Sequence, residues 1–177
     1  MLECASRPWT PVLAPSEAAA AAGVAREVAA RLAGDRLAPA VRRAGPGGPG
    51  AARPPWRAYA LAHGRAGLAL LLGQVDACFP GDGWDRAAHR QLEAAAGAAA
   101  RHGRLPPGAF SGLAGLGFAA LGCSRGGARY RRLLDRVDQA LVPRARALAG
   151  RVARCHGVAA AELDVVAGLS GIGAYLL

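Results

Sequence analysis

A glycine pair of the form Gly-x-x-Gly, set in an apolar stretch, occurs three times in this chain and restricts its architecture more than any other feature. It is carried by His63-Gly64-Arg65-Ala66-Gly67-Leu68, by Phe110-Ser111-Gly112-Leu113-Ala114-Gly115-Leu116-Gly117-Phe118 and by Ala167-Gly168-Leu169-Ser170-Gly171-Ile172, with the leading glycines 48 and 56 residues apart. Periods of that size mark a helical array, in which each unit buries its apolar face only against neighbours. A glycine inside a helix costs about 1 kcal/mol relative to alanine, so something must require the missing side chains. Close approach of a neighbouring backbone is the expected reason.

The segments around these pairs alternate in character. Trp56 to about Asp76 reads as an apolar helix, residues 110 to 123 as a second, and a third begins near Glu162. Between them, Trp84 to His102 carries Arg86, His89, Arg90, Glu93 and Arg101 and reads as an outer helix, with Asp82 or Asp85 as its cap. In the next polar helix Tyr130, Leu133, Leu134, Val137, Leu141 and Val142 follow the spacing of one helix face; Pro143 is expected to kink or interrupt it, and a further stretch runs to about Arg154. Nearer the start, Ser16 is a candidate N-cap for a helix to Leu32 that places Val24, Val28 and Leu32 on one face. Residues 1–15 are expected to be an irregular arm and residues 43–55 a flexible loop, on their proline and glycine content. No segment shows the alternation of a β-strand. The expected fold is all-α: an incomplete α/α ring of outer amphipathic and inner glycine-rich helices. The inner helix starts would face one mouth, where free amides favour ligand binding.

Charge and cysteine content exclude several function classes. All 22 basic residues are arginine, the net charge is +10, and the arginines are scattered over every polar face. That pattern reads as the base composition of a GC-rich genome; a nucleic-acid reader would cluster cations with stacking aromatics. Steering of an acidic peptide is the milder role for such charge. The cysteines at 4, 78, 123 and 155 form no Cys-x-x-Cys pair and no secreted framework, and no signal peptide is evident. Leu105 to Ser124 lacks charge, but Pro106-Pro107 and five glycines leave a helical part of about fourteen residues, short of a membrane span. The expected location is the cytoplasm, free or peripheral to the membrane.

From about Trp56 to Leu177 the three glycine pairs, and above all Leu163-Asp164-Val165-Val166-Ala167-Gly168-Leu169-Ser170-Gly171-Ile172-Gly173-Ala174-Tyr175-Leu176-Leu177, resemble the front half of the lanthionine synthetase C-like cyclases. The resemblance implies an α/α toroid as a single domain, of which residues 1–177 would be the N-terminal part. The apolar end at Tyr175-Leu176-Leu177 agrees with an expected missing second half. It further implies lanthipeptide biosynthesis: addition of peptide cysteine thiols to dehydroalanine or dehydrobutyrine in a ribosomal precursor peptide, with a dehydratase and a transporter as pathway partners. Zinc is expected in the full-length family, with its ligands outside this chain. The alternative is a non-catalytic toroid scaffold that binds a peptide or partner protein. An α/α-barrel carbohydrate enzyme would want two facing carboxylates and several exposed tryptophans, and only Asp164 fits.

Asp164 occupies the place of an active-site aspartate in the resembled family and is the candidate catalytic residue. Read from spacing alone it is equally an N-cap, since an acid ahead of an apolar helix satisfies free amides. His63 and Ser111 precede the leading glycines of the first two pairs and are candidate substrate-binding residues. Their competing readings are a partly buried ring satisfied by a backbone carbonyl and a helix-capping hydroxyl. Cys155-His156-Gly157 imitates a zinc pair, but it precedes Asp164, the reverse of the family order, and two ligands make only half of a tetrahedral site. No metal ligand is therefore assigned.

Overall fold

The structure is a computed structural model, and residues 10–34 and 56–177 are described. Seven helices occur among the described residues and no strand: α1 (Pro15–Leu32), α2 (Arg65–Cys78), α3 (Trp84–His102), α4 (Leu113–Gly122), α5 (Arg131–Arg154), α6 (Ala160–Leu163) and α7 (Leu169–Leu176). α2 packs against α1, α3 and α4; α4 packs in turn against α5 and α7. The apolar helices α2, α4 and α7 thus form a continuous inner layer, and α1, α3 and α5 lie outside them. This is a partial α/α toroid, the architecture expected from the alternation of polar and apolar segments.

The core follows the inner layer. Leu72, Leu92, Leu116, Leu141 and Ile172 are fully buried, one or more from each of the main inner and outer elements. Each contributes about 1.5–3 kcal/mol through removal of its side chain from water. Much of the remaining core is alanine and glycine, which lets axes approach closely. A methyl group at Gly117 would overlap the ring of Tyr175, and one at Gly122 would overlap Leu70.

Several local expectations are corrected. The first inner helix begins at Arg65, not at Trp56, because residues 56–64 fold back as a turn with Arg57 N–H bonded to His63 O at 3.0 Å. The third inner helix begins at Leu169 rather than near Glu162, which belongs to the separate short α6. Pro143 lies inside an uninterrupted α5. It is exposed, and the buried Leu141 and Leu148 on either side hold the helix to the core despite the lost amide. Ser16 is not the cap of α1: Ala14 holds that position, Pro15 starts the helix, and Glu17 accepts the Ala14 N–H at 2.9 Å. Val24 and Val28 point outward, 60% and 46% exposed, and the small Ala29 is the buried residue of α1. Gly83, in the left-handed region at φ 79°, is the N-cap of α3 rather than an aspartate; Asp76 of α2 accepts the Asp85 N–H at 3.1 Å. The expected loop at 43–55 and the arm up to residue 9 lie outside the described residues.

The α4–α5 loop holds both non-glycine residues with positive φ found among the described residues. Arg125, Gly126, Gly127 and Tyr130 all have positive φ, from 52° to 84°. For the two residues with a Cβ this costs about 1–2 kcal/mol each. Ser124, 1% exposed, ties the loop together: its hydroxyl accepts the Gly127 N–H at 2.9 Å and its carbonyl the Arg129 N–H at 3.0 Å.

Candidate functional site

The three glycine turns share one construction. In each, the chain approaching an inner helix folds back across that helix's first turn. Methyl groups at Gly67, Gly115 and Gly171 would overlap the carbonyl oxygens of Leu61, Ala109 and Val165, each six residues earlier. The approaching backbone that excludes a side chain is thus the unit's own preceding loop. The leading glycines Gly64, Gly112 and Gly168 are the N-caps, in extended conformation, and are also packed against that loop. Bulk rather than backbone twist selects glycine at these places.

The same fold-back spends amides that were expected to be free. Arg65 N–H bonds to Ala58 O at 2.8 Å, Leu113 N–H to Pro106 O at 2.9 Å and Gly171 N–H to Asp164 O at 3.4 Å, always seven residues back. At least one donor at each helix start is therefore taken up by the preceding loop. The loops also bind one another. Ala62 N–H donates to Phe110 O and Phe110 N–H to Val166 O, both at 3.0 Å. These three residues each stand two places before a leading glycine, and Phe110 O also accepts the Leu61 N–H at 3.0 Å, so the three loops are joined side by side.

Asp164 lies in the third of these loops, as the C-cap of α6. Its Oδ1 accepts the N–H groups of Ala167 at 2.6 Å and Gly168 at 2.9 Å. These bonds, with a weaker contribution from the Val166 amide, hold its carboxyl below the usual carboxylate range. The N-cap reading is corrected: Gly168 is the N-cap of α7, and the half-buried Asp164, four residues earlier, accepts from loop amides that include that of Gly168. Ser170, three residues into the turn, donates through its hydroxyl to Leu163 O and braces the other side of the loop.

His63 and Ser111 each stand one place before a leading glycine, at the position of Ala167 in the third unit. The inter-loop ladder brings all three loops to the same mouth. His63 is exposed and its ring makes no hydrogen bond among the described residues, so it is not the partly buried ring of the competing reading. Ser111 is half-buried, and the N-cap role falls to Gly112, without a side-chain bond. The rim also displays Phe110 (38% exposed), Val165 (60%) and Val166 (50%). Sequence reasoning missed this apolar rim because the residues sit in two loops far apart in the chain.

The three described thiols lie elsewhere, and Cys4 falls outside the described residues. Cys78 and Cys155 are exposed and Cys123 is buried, with its Sγ donating to Ala69 O at 3.3 Å. Burial pushes the Cys123 thiol above its ordinary range, against the opposing pull of Arg129. No group of three or more His, Cys, Asp and Glu among the described residues could hold a metal ion. The side chains described here do not fit a zinc ion, and Cys155 and His156 stay an isolated exposed pair at the end of α5. None of the described helices is long and apolar enough to cross a membrane.

No curated protein gave a significant match to the chain. The sequence profile described as lanthionine synthetase C-like protein matches residues 55–177, which takes in all three glycine turns, the inner helices and Asp164. With its repeated turns, its partial toroid and that match over more than half its length, the chain belongs to the lanthionine synthetase C-like family.

Proposed function

We propose that this chain is the N-terminal half of a lanthionine cyclase acting on a ribosomal precursor peptide, with Asp164 in its active site. The observation that supports the reading is the Asp164 carboxylate in the third glycine loop, fixed by the Ala167 and Gly168 amides at the motif where the family resemblance puts an active-site acid. In the reaction a cysteine thiolate adds to the β-carbon of dehydroalanine or dehydrobutyrine. The resulting enolate must then take a proton at its α-carbon.

The hydrogen bonds to Asp164 define what it contributes. A carboxyl held below the usual range is ionised near neutral pH and is a poor donor of the α-proton. Its role is to position and stabilise a protonated histidine, contributed from outside the described residues, that delivers the proton. Phe110, Val165 and Val166 supply an apolar rim for the peptide, and the exposed His63 lies at the same mouth. Zinc, which the family resemblance implies for thiol activation, finds no ligand set in the described residues.

The test is cyclisation by the full-length Asp164→Asn protein. Turnover should fall by about 100-fold or more with precursor binding retained, the scale of a lost acid–base partner. Turnover at the normal rate would refute the role. The apolar rim would equally serve a non-catalytic peptide-binding toroid; that reading predicts precursor binding without turnover in the unsubstituted protein.

A further inference from the structure

A cleft with charged groups along its wall lies at the opposite end of the inner helices. It has a volume of about 240 Å³ and is lined by Gly73 and Asp76 of α2, Asp85 of α3, and Arg125, Arg129 and Tyr130 beyond α4. The glycine mouth gathers the N-terminal ends of α2 and α4, whereas this cleft gathers the residues at their C-terminal ends. It is therefore separate from the proposed cyclase site.

The bonding in the cleft is incomplete in a specific way. Arg125 is bonded to Asp76 at 2.9 Å and lies 3.4 Å from Asp85. Arg129 faces Asp85 at 3.6 Å, close enough to attract but too far for a hydrogen bond. Among the described residues neither the Arg129 guanidinium nor the Asp85 carboxylate makes a hydrogen bond, although both are only about one-third exposed. Both groups are engaged at ion-pair distance, and the Arg129 guanidinium also lies 5.3 Å from the Tyr130 ring centre, but the hydrogen-bonding capacity of the fork and of the carboxylate is still open.

The loop presenting the arginines is tied at two points by the buried Ser124, through the Gly127 and Arg129 amides. Arg125 and Tyr130 are its two non-glycine residues at positive φ, a conformation that concentrates at ligand clamps. Tyr130 forms one wall, stacked on the His89 ring and hydrogen-bonded to its Nδ1 at 3.1 Å.

Charge decides the class of ligand. Two arginines and two aspartates balance, so a simple anion would meet both carboxylates and a simple cation both guanidinia. A ligand bearing both charges loses neither interaction. The volume lies below the range of pockets for drug-sized molecules, which excludes nucleotides and folded peptide segments. We propose that this cleft binds a small zwitterion, a free α-amino acid, with its carboxylate on the Arg129 fork and its ammonium on Asp85. Bidentate pairing of a guanidinium with a carboxylate supplies the orientation.

The test is amide NMR of the 177-residue chain titrated with glycine or alanine, and separately with acetate and with methylamine. The amino acids should give saturable shifts at Gly73, Gly122, Gly127 and Tyr130, and acetate and methylamine much weaker ones. Arg129→Gln and Asp85→Asn should each weaken binding by about tenfold or more, the effect of one lost charge-assisted bond. Both replace partly exposed groups that make no hydrogen bond, and far-UV circular dichroism confirms that each variant is folded; either one alone decides the matter. Absence of saturable shifts at millimolar amino acid, or shifts insensitive to the substitutions, would overturn the proposal. So would acetate binding as well as alanine, which would identify a plain anion site.

Discussion

Tyr175 of the inner helix α7 reaches across the ring wall to donate a 2.6 Å hydrogen bond to Asp138 of the outer helix α5, its ring lying in the space left by Gly117. One contact thereby joins three elements. Burial first, then the bond to Asp138, raises the Tyr175 pKa well above its ordinary value. A group whose folded pKa is raised contributes stability that is complete below its unfolded pKa, near 10 for tyrosine, and is lost as pH rises further. Tyr175→Phe should therefore destabilise the chain by about 1–2 kcal/mol at pH 8 and remove part of the stability loss above about pH 10. Urea unfolding at the two pH values checks both effects.

Asp164 titrates in the opposite sense. Its folded pKa is lowered, so its contribution is present above the unfolded carboxylate value and disappears as pH falls through the folded one. Carboxyl carbon NMR should place its titration below the usual carboxylate range. In Asp164→Ala, hydrogen exchange at the Ala167 and Gly168 amides should accelerate while exchange in α3 stays unchanged, because only the loop amides lose their acceptor.

Glycine-to-alanine substitutions should divide sharply by position. At Gly115 the new methyl group would overlap Ala109 O, and the loop or the helix must move. The expected cost is about 3 kcal/mol, at the upper end for overpacking. Gly23 lies in the exposed α1 with nothing within 4 Å of the added carbon. Gly23→Ala should stabilise by about 0.5–1 kcal/mol. Chemical denaturation of the two variants measures the contrast.

Thiol labelling should follow burial. In the native chain a maleimide should modify Cys78 and Cys155, which are exposed, while Cys123 reacts only on unfolding. Its thiol is packed at 7% exposure, bonded to Ala69 O and kept protonated by burial. Mass mapping of the labelled sites, with and without denaturant, gives the answer.

The helical layers were legible in the sequence because their signal is local. The face formed by Leu133, Leu134, Val137 and Leu141 needs only one helix to be seen, and these residues do pack inward. The recurrence of Gly-x-x-Gly also carried the position of the mouth. What could not be read was how the turns are built: residues 56–64 have apolar content fit for a helix, yet the fold-back onto Gly64 and Gly67 depends on space and not on propensity. The Asp76, Asp85, Arg125 and Arg129 cluster was equally hidden, since its members come from separate elements with no common spacing. Asp164 lay between these extremes. Its place ahead of an apolar helix suggested a cap or a site, but only coordinates show its carboxylate accepting from the loop amides rather than from the first turn of the helix.

The unequal spacing of the three turns has a consequence of its own. Eight more residues separate the second and third leading glycines than the first and second. The difference is absorbed outside the inner layer, where α5 has 24 residues against 19 in α3 and the four-residue α6 follows. Since the loops meet through bonds between equivalent positions, the connecting rods can lengthen or shorten without shifting the opening they serve. Insertions in the periphery are thus a route by which related chains can diversify their outer surface while the lip of the ring keeps its dimensions.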